Sequence, residues 1–173
     1  MSAQNSNIKS NSDIKSNSSI KFIAIPTEHA RHIQSGGNDA NGLAPEKMVS
    51  DGEGFPCRHC LKGIEKGEEV LVISYRPFPE KQPYAESGPI FIHSKACEAH
   101  HSNGEIPENI RSQGVTLIRG YNSENRIVYG TGKTIKSLDI QAEALKMFEA
   151  DNIAYIHARS TTNNCFTCRI ERA

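Results

Sequence analysis

Short runs of branched and aromatic apolar side chains recur along the chain and are separated by polar connections. Proline, glycine and asparagine flank these runs, as expected where β-strands end in turns. The polar residues 122–125 and 160–164 each lie between two such runs and predict two hairpins. The predicted strands are residues 20–25, 69–75, 89–93, 115–121, 126–130, 153–159 and 166–172.

A different spacing of apolar residues predicts one long helix. Between Leu138 and Phe148 apolar side chains recur three and four positions apart, which places them on one face of an α-helix. We expect this amphipathic helix to open at Ser137 and to end at residues 151–152, and a shorter helix to cover residues 28–34. Strands that outnumber helices predict an α+β domain built mainly from antiparallel sheet with hairpins.

The first residues of the chain differ in composition from the rest. Residues 1–19 alternate serine, asparagine and lysine, and they carry too few apolar side chains to offset the entropy of ordering them. This composition predicts a disordered tail. Residues 20–173 have the size of one ordinary domain, so we expect a single domain there.

Opposite charges balance over the whole chain, with 20 lysine and arginine residues against 20 aspartate and glutamate residues. This balance gives no net field that would attract nucleic acid or an anionic membrane. The sequence has no apolar run of membrane-spanning length and no secretory leader, so we expect a cytoplasmic protein. In that reducing compartment, five cysteines are more typical of metal ligands or reactive thiols than of disulfides.

The strongest chemical signal is the pair Cys57 and Cys60, followed by Gly63 and Gly67. Two thiolates separated by two residues can fold back in a tight turn and bind one metal ion, and nearby glycines permit the close backbone. The arrangement resembles a zinc knuckle that leads into a hairpin. A closed tetrahedral site needs two more ligands.

His93 and Cys97 are the next candidates for those ligands. They follow a predicted strand, and we expect Ser94 to cap a helix whose first turn carries Cys97. The order of knuckle, hairpin and helix start resembles a treble-clef zinc finger of the kind found in LIM and poly-ADP-ribose-polymerase domains. We therefore predict a structural zinc site formed by Cys57, Cys60, His93 and Cys97, because four protein ligands leave no open position for substrate.

Cys165 and Cys168 form a competing pair. Together with Cys57 and Cys60 they would make a four-cysteine site, although side chains three apart on a regular strand point to opposite faces. Either pair could instead cycle between dithiol and disulfide in a thiol-dependent redox enzyme. In a third interpretation the thiols are buried small hydrophobes and His93 is a hydrogen-bonded structural histidine.

A more dispersed set of polar residues predicts one further site. If the last two strands face the proline-rich connection over residues 76–88, these side chains line a concavity whose arginines could hold an anion. The alternative is a solvated sheet face with ordinary cross-strand pairs. The set consists of Tyr75, Arg76, Tyr84, Glu86, Tyr129, His157, Arg159 and Arg169.

Several segments of the chain together form a recognisable pattern: Pro56-Cys57-Arg58, Gly67-Glu68, Tyr75, Pro79, Pro89-Ile90-Phe91, Arg119-Gly120-Tyr121, Arg126-Ile127-Val128, Ala154-Tyr155-Ile156-His157, Cys165-Phe166 and Arg169-Ile170-Glu171-Arg172-Ala173. These segments resemble the bacterial domain-of-unknown-function 1203 family. The resemblance spans residues 20–173 and implies a single domain, and it assigns no activity to any residue. We therefore interpret the chain as a binding or regulatory module for a protein or small ligand still to be identified.

Overall fold

A computed structural model of the chain describes residues 19–173, and the predicted tail lies almost entirely outside them. Within this range the strands form two antiparallel sheets and the helices are short, which confirms the α+β class. The elements are β1 (Ile20–Ile23), α1 (Thr27–Gln34), β2 (Glu46–Val49), β3 (Glu69–Tyr75), β4 (Gly88–His93), α2 (Glu108–Arg111), β5 (Val115–Tyr121), β6 (Lys133–Lys136), α3 (Ile140–Met147), β7 (Tyr155–Ser160) and β8 (Phe166–Arg172).

The larger sheet has five strands in the order β1-β8-β7-β5-β6. Its two central neighbours, β7 and β8, form the predicted closing hairpin. Ile118, Ile156 and Ile170 lie on successive strands of this sheet and are fully buried. They pack in one cluster with Ile140 and Ala144 of α3, so the helix covers the apolar face of the sheet.

The smaller sheet has three strands in the order β2-β3-β4 and its own core. Buried residues of β3 and β4, such as Val70 and Ile92, pack with Ala30 and Ile33 of α1. Strand β2 is not predicted by the sequence pattern, because every side chain of this edge strand is exposed. An exposed edge strand carries no apolar periodicity to detect.

The strand predicted over residues 126–130 is wrong, although the turn before it forms. Ile127 makes only an isolated bridge with Tyr121, and the regular partner of β5 is β6. The Gly120 amide donates to the Thr131 hydroxyl, at 2.9 Å, rather than to a backbone carbonyl. This side-chain acceptor interrupts the backbone ladder, which resumes only after Gly130 has turned the chain.

The prediction of one long amphipathic helix is also wrong. A 3₁₀ turn over Ser137–Asp139 precedes the 8 residues of α3, and Leu138 is 67% exposed. A 3₁₀ helix has three residues per turn, fewer than an α-helix. Leu138 is therefore rotated away from the apolar face that α-helical spacing predicts for it. Among the helices of residues 19–173, none has both the length and the apolar character needed to cross a membrane.

The burial along β5 predicts a contrast between two substitutions. Ile118→Ala should lower the free energy of unfolding by about 2–5 kcal/mol, because it leaves a cavity in the larger core. Val115→Ala on the same strand, where the side chain is 44% exposed, should lower it by about 1 kcal/mol or less. Urea unfolding of the two variants measures both changes, and equal losses would contradict the described packing.

Candidate metal centre

Cys57 and Cys60 lie on a tight turn. The Leu61 amide donates to the Cys57 carbonyl at 3.0 Å, and the Cys57 amide donates to the Lys62 carbonyl at 2.8 Å. Leu61 has a φ of 56°, in the left-handed region that a leucine rarely adopts. Its side chain is fully buried in the core of the larger sheet, which stabilises this conformation. The backbone therefore folds back as a zinc knuckle requires, and Leu61 occupies the position of positive φ at which glycine is commoner.

Arg58 fixes this turn to the rest of the fold. Its Nε donates to the Phe166 carbonyl at 2.7 Å, where β8 begins, and its backbone amide donates to the Phe91 carbonyl of β4 at 3.0 Å. Its own carbonyl accepts from the Ile25 amide at 3.1 Å. Burial lowers the pKa of Arg58 to about 10, so the guanidinium stays cationic at neutral pH. The turn is thus tied to both sheets.

His93 and Cys97 lie at the end of β4 and in the segment after it. The expected helix at Cys97 is wrong, because this segment is irregular and the next helix, α2, begins only at Glu108. Ser94 does not cap a helix; its hydroxyl donates to the Glu69 carboxylate at 2.6 Å. The treble-clef resemblance therefore extends to the knuckle and hairpin but not to the helix.

Helix α1 positions this irregular segment in place of the expected helix. Arg31 donates to the Cys97 carbonyl at 2.6 Å, and Gln34 donates to the carbonyls of His93 and Lys95, both at 2.9 Å. Arg31 also donates to the Gln34 side-chain oxygen at 2.6 Å. One face of α1 therefore donates hydrogen bonds to the carbonyls of the irregular segment. These bonds hold the segment beside the knuckle, with His93 and Cys97 close to Cys57 and Cys60.

The four predicted ligands converge. The donor atoms of Cys57, Cys60, His93 and Cys97 all lie within 4.8 Å of one another. The Cys57 and Cys97 sulfurs are 3.9 Å apart, and the Cys60 sulfur is 3.7 Å from His93 Nδ1. A tetrahedral zinc site has edges of about 3.8 Å between sulfurs and about 3.6 Å between sulfur and nitrogen. This arrangement could hold a metal ion.

Polar groups lie behind the four candidate ligands. The Nε2 atom of His93 lies 3.4 Å from the Glu68 carboxylate, which leaves Nδ1 facing the sulfurs. His59, which is fully buried, places Nδ1 3.1 Å from the Cys97 sulfur and Nε2 2.9 Å from the Thr27 hydroxyl. Such partners orient metal ligands. The sequence did not predict these roles for Glu68, His59 and Thr27, because only the folded chain brings the three side chains close to the cluster.

The thiols and the imidazole compete for a small number of protons. The pKa of the Cys57 thiol is lowered, first by a hydrogen bond from Cys60 and then by one from Cys97. The hydrogen bond between Cys60 and Cys57 raises the pKa of Cys60. The hydrogen bond between Cys97 and Cys57 raises the pKa of Cys97 to about 11. The pKa of His93 is raised by its hydrogen bond with Cys57. A thiolate is thus favoured in the cluster, and metal binding requires thiolates.

Cys165 and Cys168 do not join this cluster. Within residues 19–173, the four-residue group is the one whose cysteine, histidine and carboxylate atoms lie close enough to share an ion. Cys168 is fully buried in the core of the larger sheet, whereas Cys165 is half-buried before β8 begins. Burial raises the pKa of the Cys168 thiol. The four-cysteine arrangement is therefore not formed.

The predicted polar set is divided between two places. Tyr84 and Tyr129 contact each other, with hydroxyls 3.2 Å apart, on an exposed surface. Glu86 pairs with Arg159 and also with Arg119, a residue that sequence reasoning missed. The other six members of the set line two recesses below the proline-rich connection; they are Tyr75, Arg76, Glu86, His157, Arg159 and Arg169.

Fold and site together define a class: an α+β domain with a three-cysteine, one-histidine cluster able to hold a metal ion. A sequence model described as "Protein of unknown function (DUF1203)" matches residues 54–172, and the chain belongs to this family. The matched region begins just before the knuckle and includes all four candidate ligands, whereas β1, α1 and β2 precede it. No curated protein and no solved structure matches the chain.

The different burial of Cys165 and Cys168 predicts different reactivity. Iodoacetamide should modify Cys165 in the folded chain, whereas Cys168 should react only after unfolding, because its thiol is buried and its pKa is raised. Peptide mass spectrometry with and without urea measures the labelling, and Cys165→Ser confirms the assignment. Equal labelling of both thiols in the folded chain would show that the pair is accessible for redox exchange.

Proposed function

We propose that the chain is a zinc-stabilised binding module, in which the four-ligand cluster serves the fold rather than a reaction. The observation that supports this function is the convergence of Cys57, Cys60, His93 and Cys97 within 4.8 Å. Three thiolates and one imidazole in tetrahedral spacing suit zinc, which binds such sets in structural sites. Four protein ligands also fill the coordination shell, so no position remains for substrate or water.

A structural role fits the place of the cluster in the fold. Leu61 belongs to the core of the larger sheet, whereas Cys57 and Cys60 belong to the core of the smaller one. The segment that carries Cys97 has no regular secondary structure of its own. A metal ion at this point would cross-link the knuckle, the end of β4 and the irregular segment, where backbone ladders supply little stability.

The positions of the cysteines give less support to a thiol-dependent enzyme. A redox pair needs an accessible attacking thiol with a lowered pKa. Cys168 is fully buried with a raised pKa, and Cys165 is not hydrogen-bonded to it. Cys57 does have a lowered pKa, but it lies among Cys60, His93 and Cys97, which are spaced as metal ligands would be. Recognition of a small ligand or protein therefore remains the function that we assign to the module.

Metal analysis tests the zinc site. The full chain should purify with about one equivalent of zinc, and Cys57→Ser should lose at least half of it, because three ligands bind zinc less tightly than four. Cys165→Ser makes the same exchange outside the cluster and should retain the metal. His93→Cys should also retain it, since a fourth thiolate replaces the imidazole. Less than half an equivalent in the unaltered chain, unchanged in Cys57→Ser, would contradict the proposal.

Cobalt provides a second measurement in case Cys57→Ser does not fold. Metal-free chain titrated with Co²⁺ should develop the visible absorption of tetrahedral cobalt and the ultraviolet band of thiolate-to-cobalt charge transfer. Both signals should saturate near one equivalent, and zinc should abolish them. Absorption typical of octahedral, oxygen-bound cobalt would show that the thiols do not bind the ion.

Removal of the metal should destabilise the folded chain. A ligand present at about 1,000 times its dissociation constant contributes about 4 kcal/mol to the free energy of unfolding. We therefore expect a chelator to lower this free energy by about 4 kcal/mol or more, and added zinc to restore it. Urea unfolding with chelator, without chelator and after zinc addition measures the change. Superimposable curves would contradict a structural role.

A further inference from the structure

A cavity of about 280 Å³ lies below the proline-rich connection between β3 and β4. Tyr75, Phe78 and Phe166 give it aromatic walls, and Arg76 and Arg169 give it positive charge. A neighbouring recess of about 220 Å³ shares the walls formed by Tyr75 and Phe166. The volume is just below the range of about 300–1,000 Å³ that is typical of pockets for drug-sized ligands. A ligand with a single ring is therefore the appropriate size.

His157 on the wall of this cavity has unsatisfied hydrogen-bonding atoms. The side chain is fully buried, and neither ring nitrogen has a hydrogen-bond partner within residues 19–173. Its ring is surrounded by aromatic rings, with centroid distances of 4.6 Å to Tyr121, 4.9 Å to Phe166 and 5.3 Å to Phe78. A buried polar group without a partner is unfavourable, so this position suits a ligand that supplies one.

Positive charge around His157 exceeds negative charge. Glu86 is shared between Arg119 and Arg159, and Arg169 Nε lies 2.6 Å from the Glu171 carboxylate without the alignment of a hydrogen bond. The buried Nε atoms of Arg76 and Arg159 also have no hydrogen-bond partner among the described residues. Among these residues there are four arginines and only two carboxylates, and Arg76 is paired with neither carboxylate. Burial, and then Arg159 and Arg169, hold the pKa of His157 well below its usual value, so its ring is neutral.

We propose that this cavity binds a small aromatic carboxylate. The carboxylate pairs with Arg76 and Arg169, whose guanidinium groups form directed, charge-assisted hydrogen bonds. The neutral ring of His157 donates a further hydrogen bond to the anion. The aromatic ring of the ligand packs against Tyr75, Phe78 and Phe166. This inference rests on the proposed binding role and names its ligand class, but it does not depend on the metal.

Benzoate is the probe that tests the ligand class. Titration calorimetry with the full, zinc-loaded chain should show saturable binding of benzoate at one site. Benzamide, a neutral molecule of nearly the same shape, should bind at least tenfold more weakly, because it forms no ion pair with the arginines. Acetate and inorganic phosphate, which lack the ring, should also bind at least tenfold more weakly. Equal affinity for benzoate and any one of these three compounds overturns the proposal.

Two variants and one control locate the site. Arg169→Gln and Arg76→Gln should each raise the dissociation constant of benzoate at least tenfold. Arg111→Gln, an exposed position on α2 outside the cavity, should leave it unchanged. Arg76 lies on a connection and not in a strand, so its variant keeps the test valid if Arg169→Gln does not fold. Equal effects of all three variants, or none, overturn the assignment.

Nuclear magnetic resonance and metal content separate this proposal from the zinc site. The ring nitrogens of His157 should shift on addition of benzoate, and those of His93 should not, because they belong to the metal cluster. Zinc measured in the same samples should stay near one equivalent in Arg76→Gln. Benzoate binding by a chain without zinc would refute the metal centre alone, whereas a zinc-loaded chain without benzoate binding would refute the ligand site alone.

Discussion

The tight turn from Cys57 to Lys62 is the constraint on which the arrangement of the two sheets depends. Its backbone bonds to itself, to β4 and to the segment after β1, while Arg58 reaches the start of β8. Leu61 enters one hydrophobic core and the two thiols enter the other. A turn whose polar groups are satisfied by both sheets has little freedom to move relative to either. The positions of the sulfur atoms are therefore set by packing as well as by any bound ion.

The hairpin of β3 and β4 links the two sites. His93 pairs with Val70 at one end of the hairpin, beside the cluster, and Tyr75 pairs with Gly88 at the other end. That second end carries the proline-rich connection and the wall of the aromatic cavity. The central part of the hairpin is buried against α1, which itself holds the segment of Cys97. One buried supersecondary unit thus places a candidate metal centre and a candidate ligand cavity in fixed relation.

Both sites also use the beginning of β8. Phe166 accepts the hydrogen bond of Arg58 through its carbonyl and presents its ring to the cavity and to His157. The matched family region ends at residue 172, so this shared strand lies within it. The segment before residue 54 adds β1 to the edge of the larger sheet and α1 to the smaller core. These additions complete both cores around elements that belong to the family.

The sequence by itself determined the α+β class, six of the strands and the residue types suited to zinc, because burial and spacing are local properties. It could not find β2, which buries no side chain, or foresee that α1 replaces the helix expected at Cys97. The choice between His93 with Cys97 and Cys165 with Cys168 belonged to the tertiary structure. Convergence depends on which distant segments pack together, and sequence spacing does not report this. The aromatic surroundings of His157 also depend on tertiary packing, because the rings around it come from segments that are distant in sequence.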